Sequence, residues 1–152
     1  MWADPVTIRH LSGTPSTEQQ SWMRLLTFCG LWTMLGFGYW AVEEKNSGAY
    51  VGQVGFADFR RELDPSIAGV PEIGWVLASA FSGRGYASEA ARAALTWSDA
   101  NLPTARTVCI IVPANVASLR VAEKCGYREF ARTTFLDGPI TLFERSRSPE
   151  RA

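Results

Sequence analysis

Histidine is almost absent from this chain: His10 stands alone. A histidine-based triad or a multi-histidine metal centre is therefore hard to build, and no Cys/Asp/Glu cluster has ligand spacing, so no metal is expected. Cysteine is scarce as well. Cys29, Cys109 and Cys125 form no Cys-x-x-Cys pair, and an odd count without a secretory signal points to reduced thiols in a cytoplasm. Cys109 and Cys125 lie in apolar runs and read as small buried hydrophobes rather than nucleophiles. Net charge is missing too. Fifteen basic and fifteen acidic side chains cancel, which argues against nucleic acid or an acidic membrane as a bulk partner. The nearest thing to a membrane span, Leu25 to Val42, carries no formal charge and just reaches the spanning length of ~18 residues. It is interrupted by Gly30, Gly36 and Gly38, and its pattern changes midway. It reads as a helix end, a turn and a strand. No internal repeat and no low-complexity segment is present.

What the chain does have is the make-up of one globular domain, Met1 to Ala152, with 47% hydrophobic and 20% charged residues. After a polar start punctuated by Asp4-Pro5 and Pro15, in which Val6, Ile8 and His10 alternate as a short strand would, Ser16 and Gln19 have capping-box spacing. They predict a helix from about Thr17 to Leu35, stopped by Gly36. Tyr39–Lys45 and Tyr50–Phe59 read as strands joined at Asn46-Ser47-Gly48. Gly52 and Gly55 within the second suggest a bulge or a close approach. Arg60 to Val70 reads as a charged loop whose Arg60-Arg61 pair is a solvated surface, with substrate contact as the alternative. Arg106–Val112 reads as a strand, Asn115 opens a helix that Gly126 closes, and Tyr127–Leu136 with Ile140–Glu144 make a final hairpin around Asp137-Gly138-Pro139. The tail from Arg145 is charged and expected to fray.

The stretch from Glu72 to Ser98 carries the most chemistry. Ile73, Trp75 and Leu77 alternate with Gly74, Val76 and Ala78, the period of a strand. Ser82-Gly83-Arg84-Gly85 breaks the pattern, and from Ala87 the apolar residues fall on one helical face. A glycine turn feeding a helix N-terminus presents unpaired N–H groups and a partial positive charge, a ready anion site, with Arg84 adding charge at its rim. A ligand-free strand-to-helix turn satisfies the same glycines. Two phosphate folds fail on spacing. The Walker pattern is absent. A dinucleotide fingerprint requires a third glycine where Ser88 stands and an acidic residue at the end of the next strand, which ends Ile110-Ile111-Val112-Pro113.

Three motifs then stand together: Gly83–Ala91 (Gly-Arg-Gly-Tyr-Ala-Ser-Glu-Ala-Ala), Asn115–Ser118 (Asn-x-x-Ser) and Val121–Tyr127 (Val-Ala-Glu-Lys-Cys-Gly-Tyr). The chain resembles the GNAT acetyltransferase superfamily, most closely the branch of ribosomal-protein alanine N-acetyltransferases (RimJ/RimL-like), from about Asp4 to the last strand. The resemblance implies an α/β (α+β) fold, a mixed and mostly antiparallel central sheet flanked by helices. It also implies an acetyl-CoA cosubstrate. The pantetheine arm would fill a gap between the strands matching Glu72–Ser79 and Arg106–Val112, against Val76, Leu77 and Ala78. The loop of Gly83, Arg84, Gly85, Tyr86, Ala87 and Ser88 would wrap the pyrophosphate. Asn115 would contact the pantetheine arm, serve as an N-cap, or both. Lys124 would meet the ribose phosphate or remain solvated.

The implied reaction moves acetyl to an amine acceptor, a small molecule or a protein N-terminus. Glu72 is the candidate general base, with an exposed strand-end carboxylate as the alternative reading, and a backbone N–H near Val76 or Leu77 would meet the oxyanion. The family's usual tyrosine acid is replaced by Ala122, so Ser118 inherits that role or water serves. A catalytically weak acyl-CoA-binding module of the same fold is the rival. The family's opening strand and helix are also missing from the start: either Val6–His10 supplies the edge strand, or the edge is absent, or the recorded start is late. An uncovered edge invites a partner such as a second copy of the chain.

Overall fold

A computed structural model describes residues 1–147. Asp4 does not precede a strand. Its carboxylate accepts from the Val6 backbone N–H at 3.0 Å and the Thr7 hydroxyl at 2.7 Å, and with Pro5 in the first turn it starts a one-turn helix, α1 (Pro5–Ile8). Ile8 is fully buried beneath it. The next helix, α2 (Glu18–Leu35), is capped one residue later than its sequence suggests. Thr17 and Gln20 exchange side-chain and backbone hydrogen bonds, and Gly36 ends the helix in the left-handed region at φ 74°.

Six strands follow in one sheet, β1 (Tyr39–Glu43), β2 (Tyr50–Ala57), β3 (Glu72–Leu77), β4 (Arg106–Ile111), β5 (Arg128–Phe135) and β6 (Gly138–Ser146), with spatial order β1-β2-β3-β4-β6-β5. Every neighbouring pair is antiparallel except β3 and β4. The edge at the N-terminal side is β1, so Val6–His10 adds no strand. Helices α3 (Tyr86–Asn101) and α4 (Val116–Lys124) flank β4 in sequence. They cover one face through a core of Phe56, Ile73, Ala91, Leu95, Cys109 and Ala122. The opposite face holds a second core, in which Leu63 and Ile67 of the 58–71 segment pack on Val108, Ile140 and Leu142. That segment is thus folded onto the sheet, not a solvated excursion. The final hairpin turns at Leu136 and Asp137, both left-handed (φ 48° and 63°), one step earlier than expected, and Gly138 and Pro139 already belong to β6. Arg145 and Ser146, expected to fray, are strand residues; the rest of that expectation, from Ser148, lies outside the described residues.

The glycines of β2 mark close approaches, and a bulge falls beside the first of them: Val42 pairs with Gly52 but Glu43 with Tyr50, which leaves Val51 extra on β2. A Cβ on Gly52 would sit 2.2 Å from the Val76 carbonyl oxygen, and one on Gly55 2.2 Å from that of Gly38. Gly55 and Gly74 pair across β2 and β3, and Tyr39 pairs with Gly55 on the other side. The Tyr39 ring lies along this glycine row, and its hydroxyl reaches within 2.4 Å of where a Gly74 Cβ would be. No helix among the described residues is long and apolar enough to cross a membrane.

Candidate active site

Strands β3 and β4 run parallel but share a single bridge, Glu72 to Val108, with the Val108 N–H donating to the Pro71 carbonyl at 3.0 Å. Beyond it they part. On its other side β3 stays paired to β2 through Leu77, and Ala78 still donates to Val51. Val76 and Leu77 therefore present one edge of backbone to an opening between strands. The indole of Trp75 spans this opening, its Nε1–H donating to Ser118 Oγ at 3.3 Å. Asn115 Oδ1 accepts from the Ser118 N–H at 3.1 Å and caps α4.

At the far end of β3 a 3-10 turn (Ser79–Phe81) leads into Ser82–Gly85. Gly83 and Gly85 are left-handed at φ 76° and 87°, and the position of a Cβ on either meets nothing within 4 Å. Gly85 starts α3 with no side-chain cap, so the first N–H groups of a sixteen-residue helix face out from an open loop. Arg84 is half exposed and paired to Glu44 at 2.9 Å, and the Tyr86 hydroxyl bonds the same carboxylate. These bonds, with that from Ser47 foremost, hold the Glu44 carboxyl below its usual range, while Glu44 raises the Tyr86 phenol. Arg84 thus brings little free charge, and an anion here would be held by backbone. Lys124 is exposed at the end of α4 and lies outside the cavity described next.

The opening leads into a cavity of about 710 Å³ whose wall includes Trp75, Val76, Ile111, Asn115 and Ser118 together with the rings of Phe28, Tyr39, Phe59 and Phe135. Glu72 lies in its wall. It is no exposed strand end: the residue is 6% accessible, and both carboxylate oxygens accept from Arg61, Nε at 2.8 Å and Nη2 at 3.0 Å. Arg61 is held in turn over the Phe59 and Phe135 rings, 4.7 and 4.9 Å from their centroids. Its expected place in solvent is therefore corrected; Arg60, beside it, is the solvated one and pairs with Asp58. Tyr39 stacks on Phe28 at 4.6 Å. Burial first, and the Glu72 charge second, push its phenol upward, so it stays protonated.

Glu72, Ser118, Asn115 and Val76 are thus gathered around one space, with Leu77 and Ala78 continuing the strand and Gly83–Ser88 at its outer end. Tyr39, Gln53 and Trp75 join the wall without a site signal of their own in the sequence, and Arg61 lines it as the alternative reading of the Arg60-Arg61 pair has it. An indirect signal was present: glycines facing each other on adjacent strands leave room for a ring, and Arg61 follows β2 as Glu72 opens β3.

A phosphate-bearing chain fits this frame on the structure's own terms: an open backbone edge, an unobstructed glycine loop and a helix N-terminus lie in one line. The Acetyltransferase (GNAT) domain model matches residues 1–128, and the chain belongs to that family. The Bacillus subtilis protein YkkB is 36% identical over 110 residues, 72% of this chain; the chain spans 62% of YkkB's length. A GNAT-family acetyltransferase from Bordetella pertussis superposes with a TM-score of 0.83 at 33% identity, covering 93% of this chain and 86% of that one. An aminoglycoside acetyltransferase bound to coenzyme A shares the fold alone, with a TM-score of 0.78 at 16% identity over 96% of this chain and 85% of that one.

Proposed function

We propose that this chain is an acetyl-CoA-dependent N-acetyltransferase acting on an amine acceptor by direct transfer, and that it stands near the ribosomal-protein alanine branch of its family. The observation that carries the reading is the opening beyond the lone Glu72–Val108 bridge, leading into a cavity that also holds a carboxylate. Val76, Leu77 and Ala78 would hold the pantetheine arm, with Asn115 at its side. The N–H groups of Gly83–Ser88 would hold the pyrophosphate, and Lys124 the ribose phosphate. Acetyl-CoA supplies an acetyl group activated as a thioester.

Glu72 takes the proton from the acceptor amine, directly or through water. Arg61 occupies one lone pair on each carboxylate oxygen and fixes its orientation, which leaves the remaining lone pairs to accept. A β3 backbone N–H near Val76 or Leu77 faces the carbonyl oxygen as charge grows there. Ser118 receives a hydrogen bond from Trp75 and keeps its own hydroxyl proton to give. The balance is one C–N bond formed, one C–S bond broken, and one proton passed from amine to base while the departing thiolate takes another. The Ala122 position is fully buried, so no acid acts from there. The cleft fits a small amine or the free end of a peptide, and the free thiols suit a reducing cytoplasm.

The test is thiol release from acetyl-CoA against a panel of small amines and N-terminal alanine peptides, beside CoA affinity by calorimetry. Turnover with any amine supports the reading. CoA binding without turnover on any of them replaces it with a binding module.

A further inference from the structure

The acceptor end of the cavity has few charges, and they are unevenly matched. Its wall carries Arg24, Arg61 and Glu72, and His10 lines it as well. Arg61 and Glu72 neutralise each other in a two-pronged pair. Arg24 has no carboxylate partner among the described residues. Its guanidinium lies over the Trp2 ring, 3.8 Å from the centroid, and reaches only the Ser16 hydroxyl at 3.3 and 3.4 Å. Burial of the guanidinium with no compensating anion lowers its pKa. Two neutral polar groups are idle as well. Gln53, opposite Val76 on β2, is 6% accessible and lines the cavity. Neither its carboxamide nor the Tyr39 hydroxyl makes a side-chain hydrogen bond among the described residues. No buried side-chain nitrogen or oxygen among the described residues is left unsatisfied, so both groups are open to the cavity, where a ligand can bond them.

We propose that the acceptor is a small amine carrying its own anionic group on an apolar, aromatic-compatible body: the anion meets Arg24, and the amine lies by Gln53, Tyr39 and Glu72. This rests on the acetyltransferase reading of the same cavity and narrows it. The sequence of groups supports that direction. Gln53 and Val76 stand at the opening, Tyr39 over Gly74 comes next, then Glu72, so the amine end is the end nearest the splayed strands. Phe28, Phe59 and Phe135 wall the space with apolar surface, and Arg24 on α2 is the one cation left over. A polycationic acceptor finds a single carboxylate here, and Arg61 already holds it.

The experiment measures binding by calorimetry in the presence of CoA, with no acetyl group, so it does not depend on turnover. The probes are 4-(aminomethyl)benzoate and phenylalanine, their methyl esters, and kanamycin as a polycation. The acids bind wild type about 10-fold or more tighter than their esters, as one charge-assisted hydrogen bond allows. Arg24→Met removes that preference and leaves ester binding unchanged, and Arg24→Lys restores part of it. The proposal is overturned if neither acid outbinds its ester, if kanamycin binds best, or if Arg24→Met weakens acids and esters alike. Should Arg24→Met fail to fold in a melt, the wild-type comparison and Arg24→Lys decide alone. Absence of turnover in the thiol-release assay would strike the transferase reading without touching this preference.

Discussion

Replacing Glu72 by Gln separates two jobs that the structure assigns to one carboxylate. The first is structural. Glu72 accepts two short hydrogen bonds from Arg61, whose side chain is 21% exposed and sandwiched by aromatic rings. Glutamine keeps one acceptor but turns an amide N–H₂ toward the guanidinium. The loss of one charged hydrogen bond and the stranding of a mostly buried cation cost about 2 kcal/mol, below the figure for a fully buried pair because Arg61 retains some water. For a domain of this size that is a fall in Tm of about 4–8 °C, visible in a melt yet short of unfolding. The second job is chemical. Loss of a general base lowers kcat by ~10²–10⁴-fold, while CoA affinity, set further along β3 and at the glycine loop, stays unchanged. Arg61→Met is the companion. It leaves the carboxylate uncompensated and costs comparable stability, but the base survives, so kcat falls much less. A kcat loss below ~10-fold in Glu72→Gln, or equal losses in the two variants, would refute the assignment and make the pair a scaffold only.

Three further substitutions, one with a control, test the frame. Gly85→Val abolishes CoA binding, because its side chain projects into the space an anion must enter; Gly48→Val, equally left-handed at φ 68° with open space around it in the β1–β2 turn, shares the backbone strain of ~1–2 kcal/mol but binds CoA normally. Arg84→Ala is mild, since its charge is spent on Glu44; calorimetry showing it as damaging as Gly85→Val would mean a side-chain anion site. Tyr127→Phe leaves the buried Thr107 hydroxyl, 2.6 Å from the phenol, without its partner. It lowers stability by about 1–2 kcal/mol in a urea melt with kcat unmoved; a kcat change would tie that pair to the site.

Much of the fold is legible in the chain because periodicity, caps and glycines are local signals. The alternation Ile73-Trp75-Leu77, the Gly36 stop and the loop Ser82–Gly85 each specify their own conformation. The site is less legible because it is made of long-range pairings. Nothing near Arg61 in sequence says that Glu72, eleven residues on, will turn inward to meet it. Nothing near Gln53 or Arg24 says that α2 and β2 face one cavity. The start is ambiguous for a different reason: the alternation of Val6, Ile8 and His10 suits a short strand, Asp4-Pro5 suits a helix start, and only the bond from Val6 to Asp4 decides between them.

The most direct measurement of the central claim is thermal unfolding with acetyl-CoA, CoA and NAD at matched concentrations. A ligand that binds only the folded chain adds RT ln(1 + [L]/Kd), about 2.7 kcal/mol at a hundredfold excess over Kd, which raises Tm by several degrees in a domain of this size. The account predicts that rise with acetyl-CoA and CoA, no rise with NAD, and its loss in Gly85→Val. A melt raised by NAD and unmoved by CoA would contradict it.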